Sequence, residues 1–330
     1  MAEIVAGIAC SHSPQLSTPV ATWADHAARD RRKTDLIGVD GQRHTFDELL
    51  PMAPAGLAAQ LTDEVFASHY SRMQSGLAAC RQALADAGAT SAVVIGNDHK
   101  EMFGDDGMPA FAIYLGESVP DNPTPADALA AMPSGLRDAQ WSYHGQETEH
   151  YPVATALAWH ITDSVVQAGF DVTQLSRQPP ARTLGHAWTY PRRVLMGEEP
   201  IPMVPVHLNT LYPPNQPTPA RCYALGKAIG AAVRSWDSDE KVVVITTGGL
   251  SHFVVDEKLD SATLDALAAD DADALGALPR EKMNSGTGEI LNWVTAGGAL
   301  SGLRMKLFDY VPAYRSEAGT GVGMAFAGWQ

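Results

Sequence analysis

The 330-residue chain has only three cysteines, and no two of them form a CxxC pair. Cys10, Cys80 and Cys222 lie far apart, so neither a disulfide framework nor a thiolate zinc site is indicated. No stretch approaches the roughly 18 apolar residues of a membrane span. The N-terminus carries Glu3 where a secretion signal would have basic residues. We therefore expect a cytoplasmic protein that does not contact a membrane.

Positive charge is also scarce, with 23 Lys and Arg residues against 38 Asp and Glu residues and a net charge of −15. This excess of negative charge argues against a nucleic-acid partner or an anionic membrane surface. An anionic substrate would have to be bound by a few well-placed cations against the overall field. The sequence offers four candidates for that role on predicted loops, which are Lys100, Arg182, Arg192 and Arg193.

Short apolar, β-branched runs separated by helical patterns predict an α/β fold. The predicted strands are Ile4–Ala9, Ala92–Ile95, Ala110–Leu115, Ile201–Leu208 and Lys241–Thr247. Residues 67–87 and 153–169 have apolar positions at helical spacing, whereas the proline-rich stretch 119–133 is typical of a surface loop. There is no internal repeat or linker, so we expect one domain over residues 1–330, with a charge-rich helix and loop excursion at about 18–54.

Four histidines follow apolar runs in small-residue settings. They are His12, His99, His186 and His252. Any one of them alone is more typical of a hydrogen-bonded structural residue, but strand ends in an open α/β sheet meet at one edge. Two imidazoles and one carboxylate with open positions form the facial triad of non-haem Fe(II) oxygenases. Glu289 is a candidate carboxylate, although its place near the start of a helix is also typical of a residue favoured by the helix dipole.

Five short blocks, taken in order, resemble the signature blocks of the class III (LigB-type) extradiol ring-cleavage dioxygenases. They are SHSP at 11–14, GNDH at 96–99, GH at 185–186, TGGLSH at 247–252 and GE at 288–289. The segment VPVHLNTLYPPNQPTPARCYALGKAI is similar to the family's proline-rich strand-to-helix segment. MAEIVAGIACSHSPQLSTP and the HTFDEL insertion further resemble the gallate and 3-O-methylgallate dioxygenase branch.

The resemblance implies a LigB-like domain with a mixed, mostly parallel central sheet flanked by helices. It implies that His12, His99 and Glu289 bind Fe(2+). It also implies that His252 is the acid/base histidine beside the metal and that His186 contacts the substrate or an intermediate. The family often has Asp-His where this chain has Gly-His, so a carboxylate that orients His186 must come from elsewhere in the chain.

Several neighbouring residues are weaker candidates for the same site. Asp98 is expected to orient His99 or to cap its turn, and Ser11 to hydrogen-bond near the metal or to hold a turn. Trp188 and Tyr190 could form a wall of an aromatic pocket or pack in the core, and Lys100 could bind a substrate carboxylate. The remaining histidines are assigned to surface or packing roles: His26, His44, His69, His144, His150, His160 and His207.

The implied activity is Fe(II)-dependent extradiol cleavage of a catecholic aromatic acid of the gallate, 3-O-methylgallate or protocatechuate type, with O₂ as the second substrate. Two alternatives stay open at this point. One is a metal-binding homologue without oxygenase activity, and the other is a zinc hydrolase, because zinc accepts the same ligands with one open position. We expect a homo-oligomer, in the simplest case a dimer. A separate small subunit is not favoured, because the 18–54 excursion could replace it.

Overall fold

The computed structural model describes residues 1–179, 182–197 and 200–330, and within them an α/β architecture. The strands are β1 (Glu3–Cys10), β2 (Leu36–Ile37), β3 (Arg43–His44), β4 (Ser91–Asn97), β5 (Phe111–Tyr114), β6 (Ser118–Asp121), β7 (Glu149–Pro152), β8 (Thr173–Leu175), β9 (Met203–Leu208), β10 (Lys241–Thr247), β11 (Met305–Tyr314) and β12 (Gly321–Trp329). The helices are α1 (Trp23–Asp30), α2 (Phe46–Leu49), α3 (Asp63–Ala87), α4 (Ala126–Ala131), α5 (Ser134–Asp138), α6 (Thr155–Gln167), α7 (His186–Tyr190), α8 (Pro219–Ser235), α9 (Glu257–Ala268), α10 (Ala272–Gly276) and α11 (Ile290–Ala299).

One eight-stranded sheet organises the molecule, in the order β11-β12-β1-β10-β4-β9-β5-β8. Its centre is parallel, because β10 pairs in parallel with both β1 and β4, and β4 with β9. Antiparallel pairings join β12 to β1 and to β11 at one side and β9 to β5 at the other. The predicted α/β fold with a mixed, mostly parallel sheet is therefore confirmed. None of the described helices is both long and apolar enough to cross a membrane.

Both faces of the sheet are covered by apolar layers, as the β-branched runs predict. Along β4, Val93 and Ile95 pack into one layer, whereas Ala92 and Val94 pack into the other. Helices α6, α8 and α11 supply side chains to the first layer, and the long helix α3 lies in the second. The central strands are thus held rigidly, and the residues that follow them start from fixed positions.

Helices α8 and α11 cross at close range through glycines. A Cβ atom at Gly226 would overlap the Thr295 carbonyl, and one at Gly298 would overlap the Tyr223 carbonyl. Because both obstacles are backbone atoms, neither can move aside without separating the helices. This contact positions α11, whose N-terminal end carries Glu289.

Replacing Gly226 by alanine is expected to lower the free energy of unfolding by about 1–3 kcal/mol, because the added methyl group has no space. The sign of this change tests the close contact, because where space is open the same substitution stabilises a helix by about 1 kcal/mol. Urea-induced unfolding measures the change. Ala231→Ser, at an exposed position of the same helix, is the matched control. Unchanged stability in Gly226→Ala would contradict the close crossing.

Two segments differ from their predicted structure. The stretch 119–133, predicted to be a surface loop, contains most of β6 and all of α4, and Asp121 within it is fully buried. The excursion at 18–54 is an ordered layer that contains α1, the small β2–β3 sheet and α2. A capping box between Thr45 and Glu48 fixes the start of α2, whose apolar side packs against Val254.

Candidate metal centre

The carboxyl ends of the central parallel strands converge at one edge of the sheet. His12 follows β1 after one residue, and His99 follows β4 after one residue. Glu289 ends a short 3₁₀ turn, Gly286–Glu289, that leads into α11. His12 Nε2 lies 3.3 Å from Glu289 Oε1, and His99 Nε2 lies 3.5 Å from the same oxygen. The structure therefore brings together the three residues predicted to bind the metal.

Hydrogen bonding selects the tautomer of His12. Its Nδ1 lies 3.0 Å from the hydroxyl oxygen of Thr247, and that hydroxyl donates its own hydrogen to the Ala187 carbonyl at 2.8 Å. Because the Thr247 oxygen is left as an acceptor, Nδ1 of His12 carries a proton, and Nε2 is the ring nitrogen directed at Glu289. An imidazole nitrogen and a carboxylate oxygen 3.3 Å apart are two donor types that a divalent cation can bind together.

Glu289 is buried and ionised. Burial raises the pKa of its carboxyl, but the neighbouring His12 and His252 imidazoles outweigh that effect and hold the pKa well below its usual range. Its Oε2 accepts a hydrogen bond of 2.8 Å from the Gly249 amide. Gly248, directly after β10, packs against the Glu289 side chain. Its φ is +140° and a Cβ there would lie 2.9 Å from Glu289 Cβ, so this position requires glycine.

His186 joins the same cluster. It opens α7, and its ring centroid lies 4.7 Å from that of His12 and 4.6 Å from that of His99. Potential ligand atoms of His12, His186 and Glu289 all lie within 4.8 Å of one another, so His186 is within reach of a shared ion. His99 is not part of that group and approaches the site through its 3.5 Å contact with Glu289 Oε1. The site thus offers three imidazoles around one carboxylate, of which the resemblance assigns two to the metal.

Glu101 orients His186. Its Oε1 lies 2.6 Å from His186 Nδ1, and its Oε2 accepts a hydrogen bond from the His99 amide at 3.1 Å. Burial raises the pKa of Glu101, but the charge and hydrogen bond of His186 outweigh it and lower the pKa well below its usual range. Glu101 is therefore the carboxylate that orients His186, which the sequence analysis could not identify. Its position two residues after His99, in NDHKE, was the feature of the sequence that could have indicated it.

His252 lies on the other side of the carboxylate. Its Nδ1 donates to the Leu250 carbonyl at 2.9 Å, which leaves Nε2 free, 3.6 Å from Glu289 Oε2. Burial lowers the pKa of His252 below its usual value, although Glu289 opposes that shift. Gly286 makes room for the ring, since a Cβ there would overlap the imidazole. A neutral imidazole in this position can accept a proton.

Asp98 and Ser11 support the backbone near the site. Both carboxylate oxygens of Asp98 accept backbone amides from the loop that follows His99, those of Lys100, Met102 and Phe103. Burial, together with the nearby Glu101, raises the pKa of Asp98 to about 6. Ser11 Oγ accepts the Ala325 amide of β12 at 3.1 Å. Asp98 thus shapes the loop that carries His99, and Ser11 ties the end of β1 to its neighbouring strand.

Three predicted substrate contacts lie away from the cavity above the metal centre. Trp188 is fully buried beneath the sheet edge, where its Nε1 donates to the Val94 carbonyl at 3.0 Å. Tyr190 is also fully buried, with its ring centroid 6.1 Å from that of His12. Lys100 points outward and pairs with Asp105 at 2.7 Å. The tight packing of α7 on β4 explains the two aromatic residues, because both follow His186 on a helix that faces the core.

The other predicted cations are engaged elsewhere, and none of them lines the cavity. Arg182 pairs with Asp106 and donates to the Met102 carbonyl. Arg193 pairs with Glu149 at 2.8 Å, and Arg192 donates to the Gly197 carbonyl at 2.9 Å. The expectation that these loop arginines bind a substrate carboxylate is therefore not supported by their positions.

A cavity of about 650 Å³ opens over Glu289 and the four histidines. Residues that the sequence did not single out form much of its wall, namely Arg29, Lys33, Asn122, Tyr143 and His144. Tyr143 donates to the His12 carbonyl at 2.6 Å, and its ring meets that of His186 edge-on at 5.6 Å between centroids. His144, assigned to a surface or packing role, faces the cavity with its Nδ1 2.6 Å from buried Asp121.

Comparison with known proteins agrees with this geometry. The family described as the catalytic LigB subunit of aromatic ring-opening dioxygenase matches residues 67–322, a range that includes His99, His186, His252 and Glu289. A gallate dioxygenase of Pseudomonas putida is 31% identical over 159 residues, which are 44% of this chain and 45% of that protein. The chain thus matches somewhat less than half of that relative's length. With the match extending over most of its length, this chain belongs to the LigB family of aromatic ring-opening dioxygenases.

Proposed function

We propose that the chain is a non-haem Fe(II) dioxygenase that cleaves a catecholic aromatic acid in the extradiol position, with O₂ as co-substrate. The observation that carries this proposal is the convergence of His12, His99 and Glu289 at the floor of a cavity large enough for a substituted benzene ring. The family membership and the partial likeness to a gallate dioxygenase support it. Gallate, 3-O-methylgallate and protocatechuate are the substrate types proposed first.

The donor set fits a ferrous ion. Two imidazoles and one carboxylate leave several positions open and provide no thiolate, a pattern typical of oxygen-activating iron. His12, His99 and Glu289 would hold the ion, with Thr247 fixing the tautomer of His12. Fe(II) bound there supplies the path for electrons between a vicinal diol and O₂ that ring opening requires.

The side chains around the ligands handle protons and orientation. His252 Nε2 is free to accept a hydroxyl proton from the diol and to return it when the ring opens. His186 is held by Glu101 with its Nε2 directed away from that carboxylate, and so can contact a substrate oxygen. Tyr143 packs beside both His12 and His186 and forms this wall of the cavity.

The proposed catalytic unit is the single domain of residues 1–330, with the 18–54 excursion forming part of the cavity wall. We place the protein in the cytoplasm as a homodimer without a separate small subunit, so its mass by size-exclusion chromatography with light scattering is expected to be twice that of the 35.1 kDa chain. A monomer or a higher oligomer would contradict the dimer without bearing on the chemistry.

Anaerobic reconstitution tests the function directly. The purified chain is loaded with Fe(II) under nitrogen, and a panel of gallate, 3-O-methylgallate, protocatechuate and catechol is then added with O₂. The expected result is O₂ uptake equal to substrate loss, together with the absorbance of a ring-opened product. Stoichiometric iron without O₂ uptake on any catechol would favour the homologue without oxygenase activity.

A parallel loading with Zn(II) tests the hydrolase alternative. The zinc-loaded protein is expected to be inactive in ring cleavage, because Zn(II) is not redox-active. Under the proposed function it is also expected to hydrolyse neither esters nor amides. Metal analysis of protein expressed without added zinc shows which ion it retains. Hydrolysis by the zinc form, with none of the oxygenase activity in the iron form, would replace the proposed function.

Glu101→Gln is expected to reduce kcat by roughly 10- to 100-fold while leaving the iron content unchanged, because the neutral amide no longer holds the tautomer of His186. Steady-state O₂ uptake and metal analysis on the same sample measure both quantities. Glu117→Gln, an exposed carboxylate substitution, is the control. Full activity in Glu101→Gln would show that His186 needs no carboxylate partner.

A further inference from the structure

Two cations of the 18–54 excursion reach the cavity above the metal centre. Arg29 lies in the last turn of α1, and Lys33 follows that helix by three residues. Both line the cavity together with His12 and Tyr143. Neither cation was selected from the sequence, where they form part of a charge-rich stretch, DHAARDRRK, that is typical of a solvated surface.

Arg29 forms no ion pair with the carboxylates that the structure describes. Asp30 receives both of its strong hydrogen bonds from Arg315, at 2.6 and 3.1 Å, and Arg315 also donates to Gln15 at 3.1 Å. That pair is internally neutral. The Nε of Arg29 is fully buried and has no hydrogen-bond acceptor among the described residues. Burying such a donor without a partner is costly, so an acceptor from outside the chain is expected there.

Lys33 adds a second basic group beside Arg29. Its Nζ lies over the Phe253 ring, 2.8 Å from the centroid, and it forms no ion pair with the residues that the structure describes. Burial lowers the pKa of Lys33 to about 7, with Asp30 opposing the shift and Arg29 and Arg315 adding to it. An anion beside this ammonium group would favour its charged form.

Tyr143 relates these cations to the metal centre. Its hydroxyl donates to the His12 carbonyl, so Tyr143 is in direct contact with one of the proposed metal ligands. Tyr143 lines the cavity together with Arg29 and Lys33, so the two cations and the proposed metal ligands border the same space.

We propose that Arg29 and Lys33 form the subsite for the substrate's carboxylate, which lies on the ring side opposite the metal-bound diol. The inference rests on the proposed function and narrows its substrate class to catechols that carry a ring carboxylate. The planar guanidinium can bind both carboxylate oxygens, and the ammonium group adds a point charge. In a chain with a net charge of −15, two basic side chains that line the cavity without an ion pair among the described residues are a local exception that suits an anion.

The opposite wall is less suited to that group. His144 is backed there by the buried carboxylate of Asp121, which also accepts a hydrogen bond from Tyr151 at 2.8 Å. Thr124 and Gln140 on the same side are bonded to each other at 2.7 Å. A substrate carboxylate near Asp121 would meet a like charge, whereas one near Arg29 would meet the unpartnered Nε donor, and the nearby Asp30 is already bonded to Arg315.

Gallate and pyrogallol form the matched pair for the test, because they differ only in the carboxylate. In Arg29→Gln, kcat/KM for gallate is expected to fall by roughly 10- to 100-fold, whereas the value for pyrogallol changes by less than about 3-fold. Lys33→Met is expected to give a smaller selective loss, and Arg29→Lys to retain more gallate activity than Arg29→Gln. Arg32→Gln, at the exposed neighbouring position, is the control.

Anaerobic calorimetric titration of the iron-loaded protein with each compound separates this inference from the proposed function. If the wild type cleaves neither compound, the function fails, yet weaker gallate binding in Arg29→Gln with unchanged pyrogallol binding still supports the subsite. Equal losses for both compounds, or unchanged gallate binding in both Arg29→Gln and Lys33→Met, would overturn it. Should Arg29→Gln not fold, Lys33→Met and Arg29→Lys give the same comparison.

Discussion

Glu289→Ala is expected to abolish stoichiometric Fe(II) binding and, with it, ring cleavage. The side chain is the only carboxylate that lies within 4 Å of His12 Nε2 and His99 Nε2 in the described structure, so no other anion can replace it. Its loss should cost more in metal affinity than the roughly 10- to 100-fold that follows removal of a partner behind a ligand. Equilibrium dialysis against Fe(II) under nitrogen, with iron analysis of the retained protein, measures the effect.

Two further variants show whether the loss is specific. Glu289→Gln keeps an acceptor for the Gly249 amide and a similar shape, yet removes the charge, so it too should lose iron while remaining folded. Glu281→Ala, an exposed carboxylate earlier on the same segment, should bind iron like the wild type. His12→Ala is expected to behave like Glu289→Ala. Retention of stoichiometric Fe(II) and activity in His12→Ala would show that the ligand assignment is wrong.

The ends of the central strands were predictable from the sequence, because neighbouring residues in the chain determine where a buried strand stops. A β-branched run such as Ala92–Ile95, followed by Gly, Asn and Asp, predicts both a buried strand and the place where it stops. The parallel arrangement of β1, β10 and β4 then brings His12 and His99 to one edge without further information. Glu289 required the family resemblance, because a carboxylate at a helix start has a sufficient structural explanation by itself.

The antiparallel side of the sheet could not be recognised in the same way. The segment 314–330 reads as a glycine-rich tail, yet β12 runs through most of it and pairs with β1 and β11. Glycine and alanine have low strand propensity, so the local sequence argues against the strand. Close packing explains the composition, since a Cβ at Gly323 would overlap the Asp260 carboxylate and one at Gly321 the Ala313 carbonyl.

The cavity wall was missed for a different reason. Arg29, Lys33 and His144 come from surface-like segments, and their direction depends on how those segments pack rather than on their own sequence. For Trp188 and Tyr190 the sequence left two roles open, a pocket wall and core packing, and the structure places both on a buried helix face. Residues that contact the substrate from excursions and loops thus need the tertiary structure, whereas those at strand ends do not.

His252→Phe is expected to keep iron and to lose turnover by roughly 10²- to 10⁴-fold, the usual contribution of a positioned acid/base group. The imidazole Nε2 lies 3.6 Å from Glu289 Oε2, close enough to serve a hydroxyl bound beside that carboxylate but with no hydrogen-bond partner of its own among the described residues. Phenylalanine keeps an aromatic ring without a nitrogen. Iron content by metal analysis and kcat by O₂ uptake, on the same preparation, separate metal binding from proton transfer.

The six-membered ring of phenylalanine is larger than imidazole, and Gly286 leaves little space, so steric damage must be distinguished from the loss of a base. His252→Asn does this, because its amide can reproduce the Nδ1 hydrogen bond to the Leu250 carbonyl while nothing takes the place of Nε2. Both variants should bind substrate anaerobically with an affinity near that of the wild type and then turn over slowly. If His252→Asn kept wild-type kcat, the proton would have to move through another group. His186 would then be the residue to replace next, because it is the other histidine of the cluster that is not assigned as a metal ligand.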